Sequence, residues 1–237
     1  MHSNTELRNQ LFEQFSQTVL ESGWRDLSCA DIATRCGVEV KIAFVEYSNR
    51  YAYVTELVRR IDYAMLDAYD KEIADEPARE RLFDAIMSRF EAMQTYRDLV
   101  IALTKAARCD PMLSLHLMAL SRLTADWIMD VSHISPSGLG GQIRSKGALV
   151  AYARAFNVWL GDESEDLSKT MACLDKTLKS GEKALRRAEK LARVVPIMRP
   201  RCRPKRKSKG AEAAETSTGG YSEASFGDEG GMAPMPS

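Results

Sequence analysis

The sequence predicts an all-α protein, and three observations support this. No segment shows the strict alternation of apolar and polar residues that marks a half-buried strand. Apolar residues instead recur three and four positions apart along most of the chain, as on one face of an α-helix. Only eight prolines and fourteen glycines occur among 237 residues, of which 45% are hydrophobic. A chain of this length and composition can bury a substantial helical core.

The first helix is predicted over residues 6–22. Its apolar face consists of Leu7, Leu11, Phe15 and Val19, which are four positions apart. Gly23 follows this segment and ends the helix, since glycine readily leaves the helical conformation. We expect Trp24, the next residue, to pack back against the helix.

A helix-turn-helix is predicted next. Ser28 is suited to cap a short helix, with Asp31 three positions later. Gly37 supplies the residue that a tight left-handed turn requires. A second short helix then extends through Tyr47 and ends at Ser48. Two short helices joined in this way usually place the second helix in the major groove of DNA.

At these residues the sequence resembles the TetR-type one-component regulators. The matching residues are Gly23, Trp24, Ser28 to Ala33, Cys36 to Val38, Phe44, Tyr47 and Arg50. The resemblance covers roughly residues 7–60 and implies three domains: a helix-turn-helix module (1–52), a helical ligand-binding and dimerisation domain (53–195), and a tail (196–237). It also implies a homodimer formed through the last two helices, and an effector that alters DNA binding.

The DNA-contacting positions depart from the family pattern. The usual Ser-x-x-Thr after the turn is Glu39 to Ile42, and Phe44 replaces the usual phosphate-contacting tyrosine. Glu46 adds a carboxylate to the recognition helix, where it is expected to repel DNA. The candidate DNA-binding residues are Ser28, Glu39, Val40, Lys41, Phe44, Arg50, Arg201, Arg203, Lys205 and Arg206. An alternative is that the module keeps its fold without binding DNA.

Six further helices are predicted after the module. Their ranges are 52–73, 78–93, 96–108, 111–133 and 142–160, with a last helix from Ser164 or Asp166, and residues 134–141 form a loop. Methionines on these helices suit either an apolar ligand pocket or an ordinary core. The candidate pocket residues are Met87, Phe90, Met118, Phe156 and Trp159.

The charge distribution singles out the C-terminal region. Residues 176–209 contain fourteen Lys and Arg against two Asp and Glu, whereas residues 1–175 carry a net charge of −7. The arm from Arg199 to Lys207 resembles an AT-hook, with Cys202 in place of the central glycine. Its binding partner is nucleic acid, an anionic membrane or neither, and we expect the tail to be disordered.

Several functional classes find no support in the sequence. No catalytic motif is present, and neither His116 nor His133 has a partner at zinc spacing, so we expect no enzyme, metal or cofactor. No apolar run is long enough to span a membrane. The polar N-terminus and the five scattered cysteines favour a cytoplasmic protein with reduced thiols.

A second resemblance lies at residues 156–178. Trp159, Asp162, Ser164, Asp166, Leu174, Asp175 and Leu178 carry it. The segment is similar to the ubiquinone-biosynthesis lipid-binding accessory proteins, relatives of the same fold that lost DNA binding. The first resemblance makes a TetR-like DNA-binding transcriptional regulator that responds to an apolar molecule the leading functional prediction. The alternative is a lipid-binding accessory protein with a vestigial helix-turn-helix.

Overall fold

The computed structural model describes residues 5–68, 75–134 and 138–194, and all regular structure in these ranges is α-helical. The helices are α1 (Thr5–Ser22), α2 (Cys29–Arg35), α3 (Val40–Glu46), α4 (Arg50–Ala68), α5 (Ala78–Gln94), α6 (Arg97–Ala107), α7 (Pro111–Val131), α8 (Gly138–Trp159) and α9 (Ser168–Val194). The predicted fold class is confirmed. Met1–Pro196 forms one compact unit.

The first three helices form the predicted helix-turn-helix module. Ser28 caps α2 by accepting a hydrogen bond from the backbone N–H of Asp31, and Gly37 has φ = +67° in the turn before α3. Aromatic rings fill the space between the module and α4, because Phe15 and Tyr47 both stack on Tyr53. The Ser28 cap and the Gly37 turn therefore form the two short helices where the sequence predicted them.

Helix α4 links the module to the rest of the protein. It begins at Arg50, so the predicted domain boundary at residue 52 falls inside one continuous helix. Its described part ends at Ala68, and the predicted extension to residue 73 lies outside the described residues. Helices α5 to α9 surround a core in which Phe90 and Trp159 are fully buried.

Two predicted helix starts near the C-terminal end are wrong. Residues 134–141 were expected to form a loop, but α8 already begins at Gly138. The last helix begins at Ser168, rather than at Ser164 or Asp166, because those residues belong to a turn that a buried carboxylate organises. In that turn Asp162 accepts hydrogen bonds from the N–H and hydroxyl groups of both Ser164 and Thr170.

The predicted disordered tail and its basic arm lie outside the described residues. Within the described part, no helix combines the length and apolarity needed to cross a bilayer.

Candidate nucleic-acid interface and interior cavity

Helix α3 is attached to the protein by few side chains and is exposed elsewhere. Ala43 on the helix and Tyr47 just after it are buried and face the core. Exposed large apolar side chains cover much of the remaining surface, at Val40, Ile42, Phe44 and Val45. Phe44 is 61% exposed, so the predicted DNA-contacting position is available to a partner. The outward face of the recognition helix is thus mainly apolar.

The charged groups near α3 are paired with one another. Lys41 Nζ lies 2.5 Å from Glu39 Oε2, and the Lys41 side chain is 79% exposed. Glu46, expected to face DNA, instead packs inward, and its carboxylate lies 3.4 Å from Arg8 Nη1. That expectation was wrong because the salt bridge with α1 holds Glu46 on the inner side of α3. Its carboxylate is therefore removed from the face that would meet a phosphate backbone.

Arg50, also predicted to contact DNA, is engaged within the protein. Its guanidinium lies 4.6 Å from the ring centroid of Trp24, and Nη2 is 3.4 Å from Asp110 Oδ2. The same Asp110 oxygen accepts a hydrogen bond from Trp24 Nε1 at 2.8 Å. Trp24 therefore packs against the starts of α4 and α7. Arg50 can reach a phosphate only by giving up part of this arrangement.

Ser28 has a similar local role, since its hydroxyl oxygen is used to cap α2. Among the described cations of the module, Arg25 is the one for which the structure shows no ion pair; each of the others has a carboxylate within 4 Å. The described module consequently offers little unpaired positive charge to DNA.

Glu56 is the centre of the densest of these charge clusters. Its buried carboxylate accepts two hydrogen bonds from Arg59, at 2.8 and 2.6 Å, and others from Arg60 and Arg8. Burial alone would raise the pKa of Glu56, but the hydrogen bonds from Arg59 and Arg60 outweigh it and lower that pKa to about 2. The cluster ties α4 to α1 close to α3.

A cavity of about 460 Å³ lies among α4, α5, α6, α7 and α8. Its volume is within the range of small-molecule sites. Most of its wall is apolar, with Leu57, Ile61, Leu103 and Leu149 as examples. The structure therefore provides a partly open, mainly apolar space suited to an apolar molecule, in the domain where the sequence predicted one.

The predicted pocket residues divide into two groups. Met118 and Phe156 line the cavity. Met87, Phe90 and Trp159 do not line it, because their side chains are buried in the core between helices. Phe90 supports the cavity indirectly by stacking on Tyr152, which does line it. No pattern in the sequence separates wall residues from core residues, since both kinds are apolar and helical.

A buried polar network that the sequence analysis missed forms part of the cavity wall. The side chain of Arg89 is only 6% exposed, and its Nε lies 2.9 Å from Asp62 Oδ1. The other oxygen of Asp62 accepts a hydrogen bond from Thr124 at 2.8 Å. Arg89 also donates to the hydroxyl of Tyr152. The network connects α4, α5, α7 and α8 around the apolar space.

Helix α7 contacts both the cavity and the helix-turn-helix module. Near its first turns, His116 Nε2 lies 3.0 Å from Thr55 Oγ1 and 3.2 Å from the carbonyl oxygen of Tyr51. Further along, Leu117 and Met118 line the cavity. A shift of α7 would therefore change contacts at the start of α4.

The remaining sequence predictions concern metal ions and the arm. Within residues 5–68, 75–134 and 138–194, the structure places no three His, Cys, Asp or Glu side chains together as a metal site. Arg201, Arg203, Lys205 and Arg206 lie outside those ranges, and their assignment to DNA stays a prediction.

Comparison with solved structures identifies the fold. The chain is similar to a TetR transcriptional regulator from Nitrosomonas europaea, with a TM-score of 0.61 and 18% identity over 75% of this chain and 99% of that one. It is also similar to a TetR-family transcriptional regulator from Streptomyces coelicolor, with a TM-score of 0.51 and 11% identity over 81% of this chain and 99% of that one. No protein-family model and no curated protein sequence matches the chain. The TetR-like fold implied by the first resemblance is thereby confirmed, whereas the likeness to ubiquinone-biosynthesis proteins stays a prediction.

Proposed function

On this TetR-type fold, we propose that the chain is a cytoplasmic, non-enzymatic transcriptional regulator that binds DNA and responds to an apolar molecule. The observation that carries the proposal is the presentation of α3. This helix follows a glycine turn, is held by Ala43 and Tyr47, and leaves nearly all its other side chains exposed. A helix presented in this way at the end of a helix-turn-helix is suited to enter the major groove.

The apolar surface of α3 determines how it would recognise DNA. Val40, Phe44 and Val45 can contact thymine methyl groups but cannot form hydrogen bonds to base edges. Lys41 is the one cation of α3, and Glu39 already pairs with it. We therefore assign base recognition to α3 and most of the phosphate neutralisation to the arm. The arm residues would be Arg201, Arg203, Lys205 and Arg206, since cations contribute most of the non-specific affinity for DNA.

The effector would act through α7. A ligand in the cavity contacts Leu117 and Met118, while the beginning of the same helix holds Trp24 and Arg50 through Asp110. A ligand shifts an equilibrium between two helix arrangements only if it binds one of them better. A ligand that contacts α7 would bind the two arrangements with different affinities, because α7 would lie differently in each. Movement of α7 would then alter the position of the module.

The proposed regulator is a homodimer formed through α8 and α9. Exposed apolar side chains on both helices support this arrangement, with Val150 on α8 and Met171 on α9. We expect Val150→Glu to convert the dimer to a monomer in analytical ultracentrifugation. Tyr63→Glu, which changes an exposed aromatic residue on α4, is the matched control and should leave the dimer intact.

In vitro selection from a random duplex library tests DNA recognition directly. The full chain should enrich a palindromic sequence, and Val45→Asp should abolish the enrichment because it places a carboxylate on the exposed face of α3. The control Leu123→Asp makes the same kind of change on the exposed surface of α7. Failure of the full chain to enrich any sequence would contradict the proposed function.

A second candidate is a lipid-binding accessory protein with a vestigial helix-turn-helix. The ion pairing of the module's cations, together with the apolar cavity, favours it. It predicts that an isoprenoid or acyl lipid co-purifies with the protein from native cells and that no operator is enriched. Mass spectrometry of solvent extracts, performed beside the DNA selection, separates the two candidates.

A further inference from the structure

Two hydrogen-bond donors in the cavity wall converge on a single sulfur atom. Arg89 Nη1 lies 2.9 Å from Met93 Sδ, and the hydroxyl of Tyr152 lies 3.8 Å from the same sulfur. All three residues line the cavity. A thioether is a weak acceptor, so a buried guanidinium N–H gains little from it. A ligand oxygen placed at the sulfur position would satisfy both donors better.

Asp62 holds only one edge of the Arg89 guanidinium. The carboxylate contacts Nε, and its second oxygen is occupied by the hydroxyl of Thr124. The terminal nitrogens of Arg89 contact Met93, the hydroxyl of Tyr152 and, at 3.5 Å, the hydroxyl of Thr124. These acceptors are uncharged, whereas guanidinium groups form their strongest hydrogen bonds with carboxylates. The terminal nitrogens are therefore available for an anionic group.

The charged side chains that reach the cavity surface are arginines. Among the described residues, the lining includes Arg89 inside and Arg122 at the exposed surface, whereas Asp62, the partner of Arg89, does not line it. Arg122 has only a distant partner, because its Nε is 3.8 Å from Asp126. Most of the remaining wall is apolar. The site thus combines an apolar space with cationic groups, which is the pattern expected for an amphipathic anion.

We propose that the cavity binds a monocarboxylate with an apolar body, whose carboxylate displaces the Met93 sulfur and accepts hydrogen bonds from Arg89 Nη1 and Tyr152. The proposal rests on the proposed function and names its effector class. Met93 can move aside because its unbranched side chain has three rotatable bonds. Asp62 keeps Arg89 in position, so the binding group is preorganised before the ligand enters.

Isothermal titration calorimetry of the full chain tests this proposal with three probes of equal chain length. Decanoate should bind at least about 10-fold more tightly than methyl decanoate and decan-1-ol, since only the carboxylate makes charge-assisted hydrogen bonds. Tyr152→Phe keeps the ring that stacks on Phe90 and removes one donor, so it should weaken decanoate binding about 10-fold. The matched control Tyr63→Phe lies outside the cavity and should bind decanoate as the unaltered chain does.

Met93→Leu provides an independent variant that removes the competing sulfur but keeps an apolar side chain. It should bind decanoate at least as tightly as the unaltered chain. Equal affinities for the three probes, or decanoate binding that is not weakened in Tyr152→Phe, would overturn the proposal. Circular dichroism shows whether each variant is folded, and decanoate affinities are compared only among folded variants.

DNA selection on the same preparations distinguishes this proposal from the regulatory function. If decanoate binds and no operator is enriched, the cavity assignment stands and the regulator does not. If an operator is enriched and decanoate fails to bind, the ligand class is wrong and DNA recognition stands.

Discussion

Trp24 and Asp110, which are 86 positions apart in sequence, are joined by a 2.8 Å hydrogen bond from the indole Nε1 to Oδ2. The other carboxylate oxygen of Asp110 caps α7 by accepting the N–H groups of Met112 and Leu113. The Asp110 side chain therefore caps α7, the helix that reaches the cavity, and also anchors Trp24, which lies just after the end of α1. The hydrogen bond from Trp24 is the largest of the influences that lower the pKa of Asp110.

Trp24→Phe tests this connection. The substitution keeps an aromatic ring but removes the indole N–H, so the pKa of Asp110 should rise and the melting temperature should fall by a few degrees. NMR titration of the Asp110 carboxyl and thermal unfolding measure the two effects. Trp127→Phe, at an exposed position on α7, is the control. An unchanged pKa of Asp110 would show that Trp24 is not its dominant partner.

The free energy of unfolding should depend on pH through the carboxyl group of Glu56. Its pKa is lowered from 4.5 to about 2, so its stabilising contribution is present above about pH 4.5 and is lost as pH falls towards 2. The loss is on the order of 2 to 3 kcal/mol for one such group. Urea unfolding across this pH range should show the decrease in the free energy of unfolding.

Glu56→Gln should flatten that pH dependence, because it removes the titrating group. It should also lower stability at neutral pH, since Arg8, Arg59 and Arg60 lose their shared anion. Glu21→Gln alters an exposed ion pair and should change the profile little. A profile of equal steepness in Glu56→Gln would assign the acid sensitivity to other carboxylates.

Asp162 should be important for stability because it organises the turn between α8 and α9. Its carboxylate is buried and accepts four hydrogen bonds, and these lower its pKa even though burial opposes the shift. Asp162→Ala leaves the buried N–H of Thr170 without this acceptor and should cost roughly 2 to 4 kcal/mol in the free energy of unfolding. Glu163→Ala, at the adjacent exposed position, is the control for urea denaturation.

The sequence predicted those features that depend on neighbouring residues. Ser28 and Gly37 have roles set within a few positions, and the structure confirms the cap and the left-handed turn. The start of α9 was missed because Asp162 caps it from six residues before its first residue, beyond the usual capping pattern. Features such as the Ser28 cap could be predicted because the groups that interact there are only a few positions apart in sequence.

The site residues were harder to predict because their partners are distant in sequence. Glu46 was expected to face DNA, but Arg8, 38 positions earlier, holds it inward. Arg89 carried no recognisable motif, and its role depends on Asp62 and Tyr152 from two other helices. A single sequence contains the residues of such networks but not the packing that brings them together.

The predicted basic arm should contribute the salt-dependent part of DNA binding. A chain ending at Val195 lacks the seven Lys and Arg residues of the region 196–209. Because each neutralised phosphate adds about 0.9 to the slope of log K against log salt concentration, the truncated chain should show a flatter slope and lower affinity. Fluorescence anisotropy over a series of salt concentrations measures both. An unaltered slope would exclude a role for the arm in DNA binding.

Lys41 and Arg50 should respond differently to substitution, although the sequence assigned both to DNA. Lys41 is exposed and has only Glu39 as a partner, so Lys41→Ala should weaken operator binding and reduce the salt slope by about 1 without loss of stability. Arg50 stacks on Trp24 and pairs with Asp110, so Arg50→Ala should lower the melting temperature and leave the salt slope almost unchanged. Anisotropy and thermal unfolding of both variants give the comparison. If Arg50→Ala reduces the slope as Lys41→Ala does, Arg50 must leave Trp24 and Asp110 when DNA binds, and the operator then breaks the Arg50 contact between the module and the start of α7.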